Sequence, residues 1–557
     1  MVPGTVAGAG TVARTVAGIA AGKAAVSTVA GRFAGRKKAW IISAVVIALL
    51  IIALVASALI YNARQITVVA APEVQEIASP VQGVGLPGAE PMLNDAELAA
   101  AARPIMDRAA QNSDLGELHA QVANGATGTQ LWSQSSDQVA IPASSLKIMT
   151  AAAALLDLDH GQRLATRALL YDGTQSGSDS GDTVVLVGAG DPTLNATGSG
   201  FYSGGASLTD LAQQTVESLV EKQGGAGAGA VKVGRVVVDA TLFSETFHDT
   251  WDRSGMAVGY IAPIDSIAVD AGRLDPSRDE SARTETPAQS AGDEFAKLLK
   301  QELEEAGVSE VSTPEVTVAT DASQLPGGSI AAEGAVNGNA EQMMQEGEKA
   351  AGQADASLLG QVESAPLVTR VRDMMVHSDN TLAESIAREV AIANDGNPTF
   401  AGGAQAVASV LTEHGFNLTG ANFYDSSGLS TNNRLTADQL VSVINAAARP
   451  IPTDDRGIDL DAPGDENVKL TRTLRPLLDS FPVGAVSGTL ANRYSGNTGA
   501  GYVRAKTGTL DGVSALAGYV ITDGGEIVTF AMLSNEASVI PARAAADDAI
   551  GQLRAIH

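Results

Sequence analysis

Three short segments of this 557-residue chain place serine and lysine side chains at spacings that suit acyl transfer. The first segment, S-S-L-K at residues 144–147, directly precedes a stretch with a helical pattern. Residues three positions apart lie on one face of a helix, so the Ser144 hydroxyl and the Lys147 amine can meet. Lysine can activate a serine only if burial or a neighbouring cation lowers the lysine pKa. The segment therefore predicts a serine nucleophile served by a lysine base.

The other two segments supply further polar groups in a fixed order along the chain. S-D-N occupies residues 378–380, where two predicted helices meet, and K-T-G-T occupies residues 506–509 on a predicted strand. Gly508 has no side chain, so we expect a substrate backbone to lie against that strand. Each motif alone is common. The succession of helix start, interhelical junction and strand is typical of penicillin-binding proteins and class A β-lactamases.

Hydrophobic periodicity predicts the elements that position these segments. Helical patterns occupy residues 93–110, 147–158, 293–307, 367–393 with a break near Ser378, 435–449 and 541–556. Strand patterns occupy residues 118–133 as a pair joined by a glycine-containing turn, 183–187, 231–239, 501–509, 514–522 and 526–533. Thr436 is the predicted N-cap of its helix. Helices packed on an antiparallel sheet make an α+β fold.

The N-terminal part of the chain has a different character. Residues 39–61 are apolar and uncharged, and as a helix they are roughly 33 Å long, enough to cross a bilayer. Basic residues between 32 and 38 precede this stretch, which predicts a cytoplasmic N-terminus and an extracytoplasmic body. An alternative is signal-peptide cleavage after Ala58. We expect an uncleaved single-pass transmembrane helix that holds the protein in the cell membrane.

Three further segments lack the periodicity of folded elements. Residues 1–38 are rich in small residues and predict a low-complexity cytoplasmic tail. Residues 62–94 are interrupted by prolines and predict a linker. Residues 320–357 gain Gly, Ala, Gln and Glu, which predicts a mobile loop.

Composition excludes several classes of function. The chain contains no Cys, so disulfides, thiolate metal sites and cysteine nucleophiles are excluded. A net charge of −27 argues against a nucleic-acid partner. The six His have no metal-ligand spacing, and His377 is expected to fill space at a helix end. A Gly188-Ala189-Gly190 run has Thr193 where a dinucleotide loop needs its third glycine. We therefore expect neither a metal nor a cofactor.

Several longer signatures resemble those of one family, the class C low-molecular-mass penicillin-binding proteins. These are the type 4 D-alanyl-D-alanine carboxypeptidases and endopeptidases. The similar segments are PASSLK at 142–147, GDPTL at 190–194, DSSGLS at 425–430, NRLT at 433–436, SGTL at 487–490 with Arg493, and AKTGTL at 505–510. The long separation of Ser144 from Ser378 also resembles this family, which carries inserted domain material there. The resemblance covers roughly residues 95–557.

The resemblance implies an α+β fold with a penicillin-binding/β-lactamase-like domain, in which helices flank an antiparallel sheet. This acyl-serine domain is expected at residues 95–165 plus 358–557. A large inserted mixed α/β region is expected at residues 166–357. The resemblance also implies a serine D-alanyl-D-alanine carboxypeptidase that acts on peptidoglycan peptides and is inhibited by β-lactam antibiotics. It leaves open an additional endopeptidase activity on cross-links.

The resemblance further implies a role for each residue of the three motifs. Ser144 attacks the carbonyl of the penultimate D-alanine, and Lys147 takes its proton. Ser378, with Lys506 nearby, relays that proton to the leaving D-alanine, while Asn380 holds Lys147 and the substrate amide.

The remaining groups bind the substrate in the same scheme. The backbone N–H groups of Ser144 and Thr509 form the oxyanion hole. Lys506, Thr507 and Thr509 receive the terminal carboxylate. Water or a peptide amine then resolves the acyl-enzyme.

Two alternatives remain. A β-lactamase or esterase shares the acyl-serine core, and Glu413 with Asn417 is similar to the deacylating carboxylate motif of class A enzymes. However, a helix ends at Gly415 directly after that glutamate, which favours coincidence. A catalytically weak wall-binding scaffold is the second alternative, but the candidate residues Ser144, Lys147 and Lys506 are all present.

Overall fold

The computed structural model describes residues 93–171, 182–222, 231–309, 311–325, 328–451 and 466–557. The predicted transmembrane helix at 39–61 and the tail before it lie outside these ranges, as does all but the last two residues of the predicted linker. Within the ranges described, no helix is both long enough and apolar enough to cross a membrane.

Eleven strands and eleven α-helices occur in the described ranges. The strands are β1 (Glu117–Asn124), β2 (Gln130–Gln134), β3 (Arg163–Tyr171), β4 (Asp182–Val187), β5 (Val233–Asp239), β6 (Glu315–Ala319), β7 (Ala335–Val336), β8 (Ala356–Glu363), β9 (Val503–Leu510), β10 (Val513–Ile521) and β11 (Ile527–Asn535). The helices are α1 (Asp95–Ala110), α2 (Lys147–Asp157), α3 (Leu208–Lys222), α4 (Pro287–Glu305), α5 (Ala340–Gln353), α6 (Leu367–His377), α7 (Asn380–Ala393), α8 (Phe400–Glu413), α9 (Ala437–Ala448), α10 (Glu466–Asp479) and α11 (Val539–Leu553).

The first sheet is five-stranded and antiparallel, in the order β2-β1-β11-β10-β9. Successive side chains of a strand point to opposite faces. Val528 and Phe530 of β11 face a core shared with α1 and α11. Thr529 between them hydrogen-bonds Asn445 of α9 on the other face. The predicted antiparallel sheet with flanking helices is confirmed, and so is the α+β class.

Thr436 caps α9 as predicted. Its hydroxyl accepts a hydrogen bond from the Gln439 N–H at 3.1 Å, and the Gln439 side chain accepts one from the Thr436 N–H at 3.0 Å. This reciprocal capping box satisfies two backbone donors that the helix leaves unpaired.

The second sheet belongs to the inserted region. Its order is β6-β5-β4-β3-β7, with β8 paired to β3, and the pairs β4–β5 and β5–β6 are parallel. Helices α3 and α4 cover one face through residues such as Leu211 and Phe295. The insertion is thus a mixed α/β unit.

The predicted boundaries of the insertion were displaced by a few residues. The breaks placed after 165 and before 358 cut through β3 and β8, which pair with each other from Ala165–Glu363 to Tyr171–Ala356. The inserted unit therefore begins before Arg163 and ends after Glu363. Apolar periodicity marks a strand but does not state which sheet the strand joins, so the sequence could not locate this boundary.

The prediction of a loop over residues 320–357 was wrong for much of its length. The segment contains β7, the helix α5 and the first residues of β8. Asn339 forms a capping box at the start of α5. A Cβ atom at Gly347 of this helix would lie 2.3 Å from the Gln361 side chain of β8. Gly347, one of the small residues that weakened the helical pattern, therefore lies where the helix packs closely on the sheet.

Candidate active site

Ser144 lies in a tight turn, residues 143–146, that leads directly into α2. Two neighbouring segments press on this turn. A Cβ atom at Gly428, which has a φ of +83°, would lie 2.0 Å from the Ala143 carbonyl oxygen. A Cβ atom at Gly508 of β9 would lie 2.8 Å from the Pro142 carbonyl oxygen. The structure thus gives Gly508 a function that the sequence did not predict, because its missing side chain admits the turn that carries Ser144.

The amine of Lys147 joins the first two motifs. Its Nζ atom donates to the Ser144 Oγ at 3.1 Å and to the Asn380 Oδ1 at 2.6 Å. A third bond goes to the Ser427 carbonyl oxygen at 2.6 Å. Three acceptors therefore fix the amine beside the hydroxyl, as position i to i+3 geometry at a helix start allows.

Burial brings the pKa of Lys147 closer to neutral pH. The side chain is fully buried, and this desolvation lowers its pKa to about 8. The carboxylates of Asp425, Glu384 and Asp379 act in the opposite direction and limit the decrease. A lysine with this pKa is partly neutral near physiological pH, which is what a general base requires.

Ser378 and Lys506 form a second serine–lysine pair. Ser378 ends α6 in the left-handed conformation, with φ 57° and ψ 34°. Its Oγ accepts a hydrogen bond from the Lys506 Nζ at 2.7 Å, and the same amine donates to the Thr507 carbonyl oxygen at 2.8 Å. Burial, with the charge of Lys147 as a second cause, holds the pKa of Lys506 well below its usual range.

Asn380 connects this centre to the inserted region. It begins α7, and while its Oδ1 accepts from Lys147, its Nδ2 donates to the Tyr260 carbonyl oxygen at 2.8 Å. The backbone of the inserted unit therefore helps to set the orientation of the amide that holds Lys147.

Thr507 and Thr509 lie on the free edge of the first sheet, where β9 is the last strand. Leu510 and Val513 close a two-residue turn. The pair that closes such a turn is hydrogen-bonded, and hydrogen-bonded and non-bonded pairs alternate along an antiparallel ladder. The next pair, Thr509 with Ser514, is therefore non-bonded, and the Thr509 N–H points away from β10. The Thr507 hydroxyl donates to the Thr489 hydroxyl at 2.9 Å, and the Thr509 hydroxyl accepts from Arg543 at 2.6 Å. The edge thus offers hydroxyls, an N–H and a cation.

Two buried carboxylates shape the loop that holds Lys147, and the sequence assigned neither a role. Glu384 accepts hydrogen bonds from the Ser426 and Ser427 N–H groups at 3.0 and 2.7 Å. Asp425 accepts from the Gly428 N–H at 2.8 Å. Together they fix the loop whose Ser427 carbonyl binds the Lys147 amine. Asp425 lies within a family signature, whereas Glu384 sits in an ordinary helix and gave no signal.

Two residues weighed from the sequence have no described hydrogen bond to the catalytic side chains. Glu413 is exposed at the end of α8, and among the described hydrogen bonds none joins its side chain to Ser144 or Lys147. His377 bonds Asp279 through its Nδ1 atom at 3.1 Å. In the part of the chain that the structure describes, no three His, Asp or Glu side chains are grouped to hold a metal ion.

The centre therefore brings together all five predicted catalytic residues, namely Ser144, Lys147, Ser378, Asn380 and Lys506. They lie between a helical layer and the edge of an antiparallel sheet. This arrangement on a mixed α+β fold defines the penicillin-binding class of serine enzymes.

Comparison with known proteins gives the family. The chain belongs to the D-Ala-D-Ala carboxypeptidase 3 (S13) family, which it matches over residues 102–355, 343–459 and 466–555. It is 37% identical to carboxypeptidase DacB of Mycolicibacterium smegmatis, over 76% of this chain and 78% of that protein. It is 28% identical to a D-alanyl-D-alanine carboxypeptidase of an Actinomadura species, over 77% of this chain and 79% of that protein.

A solved structure agrees on the fold. Penicillin binding protein 4 of Haemophilus influenzae superposes with a TM-score of 0.54 at 19% identity, covering 83% of this chain and 98% of that one. The family membership confirms the predicted activity: the chain is a serine D-alanyl-D-alanine carboxypeptidase, a hydrolase.

Proposed function

We propose that Ser144 is the nucleophile and Lys147 its general base. The Ser144 Oγ attacks the carbonyl carbon of the penultimate D-alanine while its proton passes to the Lys147 amine. The C–N bond to the terminal D-alanine then breaks and leaves an ester on Ser144. The observation that carries this proposal is the 3.1 Å contact between Ser144 Oγ and a fully buried Lys147 Nζ.

Ser378 and Lys506 would deliver the proton that the leaving group needs. An amide nitrogen cannot depart as an anion, so the D-alanine must be protonated as the C–N bond breaks. The 2.7 Å contact between Ser378 Oγ and Lys506 Nζ supports a relay through these two groups. Asn380 would hold Lys147 through its Oδ1 and accept the substrate amide alongside.

The free edge of β9 suits the carboxyl end of the substrate. The backbone N–H groups of Ser144 and Thr509 would stabilise the oxyanion. Lys506 and the hydroxyls of Thr507 and Thr509 would receive the terminal carboxylate. Arg543 adds a guanidinium beside Thr509, and among the described residues it forms no salt bridge, so its charge is available to a substrate anion.

Peptidoglycan stem peptides would be the substrates and β-lactam antibiotics the inhibitors. A β-lactam mimics the D-alanyl-D-alanine end, so Ser144 would open its ring. A structure of the Haemophilus influenzae penicillin binding protein 4 holds a β-lactam, which supports this part of the proposal. Cross-linked peptides would also be cut if the leaving amine can belong to a second stem peptide.

Titration with a fluorescent penicillin tests the nucleophile. We expect one label per chain, loss of all labelling in Ser144→Ala and severely slowed labelling in Lys147→Ala. Release of D-alanine from a stem pentapeptide should disappear in the same variants. Full labelling of Ser144→Ala would refute the assignment. Digestion of purified peptidoglycan, followed by mass spectrometry, would separate carboxypeptidase from endopeptidase products.

A β-lactamase is the alternative function with a distinct outcome. That enzyme needs a positioned carboxylate to activate water for release of the penicilloyl ester. Rapid turnover of penicillin, lost on changing Glu413 to Gln, would establish it. The exposure of Glu413 favours the carboxypeptidase.

We also propose that residues 39–61 anchor the protein in the cell membrane with the catalytic domain outside. The support is the uncharged apolar run and the basic residues before it. Intact protein should fractionate with membranes and retain its N-terminus. Soluble protein that begins at Leu59 would instead indicate cleavage.

A further inference from the structure

Ser378 is flanked by two residues that the inserted region holds on both sides. Before it, the His377 Nδ1 lies 3.1 Å from an Asp279 carboxylate oxygen. After it, the Asp379 carboxylate accepts hydrogen bonds from the Tyr202 hydroxyl at 2.7 Å and from Arg273 at 3.0 Å.

A second guanidinium, that of Arg283, lies 3.6 Å from the same carboxylate oxygen of Asp379. We call the four side chains of the inserted region, namely Tyr202, Arg273, Asp279 and Arg283, the insert clamp.

Around Asp379 the clamp forms a buried charge cluster, whereas Asp279 lies at the surface. The Asp379 side chain is 1% exposed and the Arg273 side chain 0%. Burial alone would raise the pKa of Asp379, but the guanidiniums of Arg273 and Arg283 outweigh it and hold that pKa well below its usual range. The carboxylate is therefore charged whenever the protein is folded near neutral pH. It depends on these arginines to remain buried.

Arg273 connects the two sides of the clamp. Arg273 pairs with Asp279 at 3.3 Å as well as with Asp379. Its guanidinium lies 3.7 Å from the centre of the Phe201 ring, and that ring packs edge-on against His377 at 4.7 Å. The contacts thus form a closed loop of side chains around the backbone of Ser378, from His377 through Asp279 and Arg273 to Asp379.

This loop of contacts surrounds a residue with an unfavourable backbone conformation. Ser378 is not a glycine, yet it adopts the left-handed conformation, which costs on the order of 1 kcal/mol or more. The N–H groups of Ser378 and Asp379 bond the Met374 carbonyl oxygen at the end of α6, and the clamp adds side-chain contacts on both sides of Ser378. If φ relaxed, the hydroxyl would turn away from the Lys506 Nζ that it now meets at 2.7 Å.

We propose that the insert clamp is a set of positioning residues that fix the Ser378 hydroxyl toward Lys506, so that the inserted region is part of the proton delivery to the leaving group. This inference rests on the relay proposed for Ser378. It assigns a function in the reaction to a region of the chain that carries none of the three catalytic motifs.

The test compares two substrates with the same acyl group. One is a peptide that ends in D-alanyl-D-alanine, in which the bond to be cut is an amide, and the other is the corresponding D-alanyl thioester. An amide needs a proton to depart, whereas a thiol with a pKa of about 8.5 leaves as the thiolate. Arg273→Gln should lower kcat/KM on the amide by about 100-fold, within the range for loss of general acid catalysis, and change the thioester less than about threefold. Tyr202→Phe removes one hydrogen bond to Asp379 and no charge, so it should lower kcat/KM on the amide by about tenfold and again spare the thioester. This variant also tests the proposal if Arg273→Gln does not fold.

Two controls separate the clamp from the relay. Arg278→Gln makes the same chemical change on an exposed side chain of the insert and should leave both substrates unaffected. Ser378→Ala should lose the amide and retain the thioester. If Ser378→Ala loses only the amide activity but the clamp variants lose amide and thioester activity equally, or lose neither, the relay stands and the clamp is refuted. If Ser378→Ala itself does not discriminate, the relay fails and the clamp proposal falls with it.

Discussion

Acylation of Ser144 should depend steeply on pH because only the neutral Lys147 amine can take the hydroxyl proton. Burial lowers the pKa of this lysine to about 8. The amine is therefore mostly protonated at pH 7 and mostly neutral at pH 9. Raising the pH through 8 creates the base, so the rate of acylation should rise and then level off.

The magnitude follows from the titration curve. With a pKa of about 8 the neutral fraction is about one-tenth at pH 7 and about nine-tenths at pH 9. Acylation should therefore rise about tenfold over these two pH units, and should fall about tenfold per unit below pH 7. A solvent-exposed lysine would keep a pKa of about 10.4 and would offer a neutral fraction about two hundred times smaller than the buried one at pH 7.

The assay is labelling by a fluorescent penicillin at concentrations far below saturation, from pH 6 to 9.5. Glu384→Gln provides a matched variant, since the charge of Glu384 raises the pKa of Lys147 and a Gln oxygen can still accept from the Ser426 and Ser427 N–H groups. Burial raises the pKa of Glu384 itself to about 8, so about half of that charge is present at the midpoint. Removing that charge should move the midpoint below 8. A flat profile, a midpoint near 10, or a shift to higher pH in Glu384→Gln would refute the assignment of Lys147 as base.

Other predictions concern inhibition, binding and stability. The penicillin adduct on Ser144 should be long-lived, each tenfold in lifetime being about 1.4 kcal/mol of barrier, and Glu413→Gln should change neither its formation nor its release, as followed by loss of label. Arg543→Gln should lower the preference for a free C-terminal carboxylate over a C-terminal amide by about tenfold, which competition kinetics would measure; an unchanged preference would remove Arg543 from the binding site. Thr436→Ala breaks the capping box of α9 and should lower the free energy of unfolding by about 1 kcal/mol in urea titrations, and a loss near zero would contradict it.

The features that could be predicted from the sequence are those that short segments determine. Helix α2 and the C-terminal strands follow from local periodicity. The contact of Ser144 with Lys147 follows from their spacing at a helix start. The motif residues were expected to meet because their order and context resemble a known family, and the structure brings them within hydrogen-bonding distance.

The features that could not be predicted depend on residues far apart in the chain. Helix α5 was not predicted because its small residues weaken the apolar pattern, although one of them, Gly347, packs closely on β8. The contact of Gly508 with the turn that carries Ser144 was not predicted, because which neighbour fills the space beside a glycine depends on the folded arrangement. The clamp residues Tyr202 and Arg273 lie more than a hundred positions before Asp379 and belong to no motif, so nothing local relates them to the site.

Asp379 of the S-D-N segment belongs to a local motif and also makes contacts with residues far away in the chain. Its motif suggests chemistry, yet the Asp379 carboxylate contacts neither Ser144 nor Lys147 in any described hydrogen bond, and instead accepts from the Leu382 N–H at the start of α7 and from the inserted region. Removing one partner of a buried ion pair typically costs about 3–5 kcal/mol, so the insert cannot detach without leaving a charge stranded beside Ser378. The carboxylate that caps α7 therefore makes the geometry of Ser378 dependent on the fold of the inserted region.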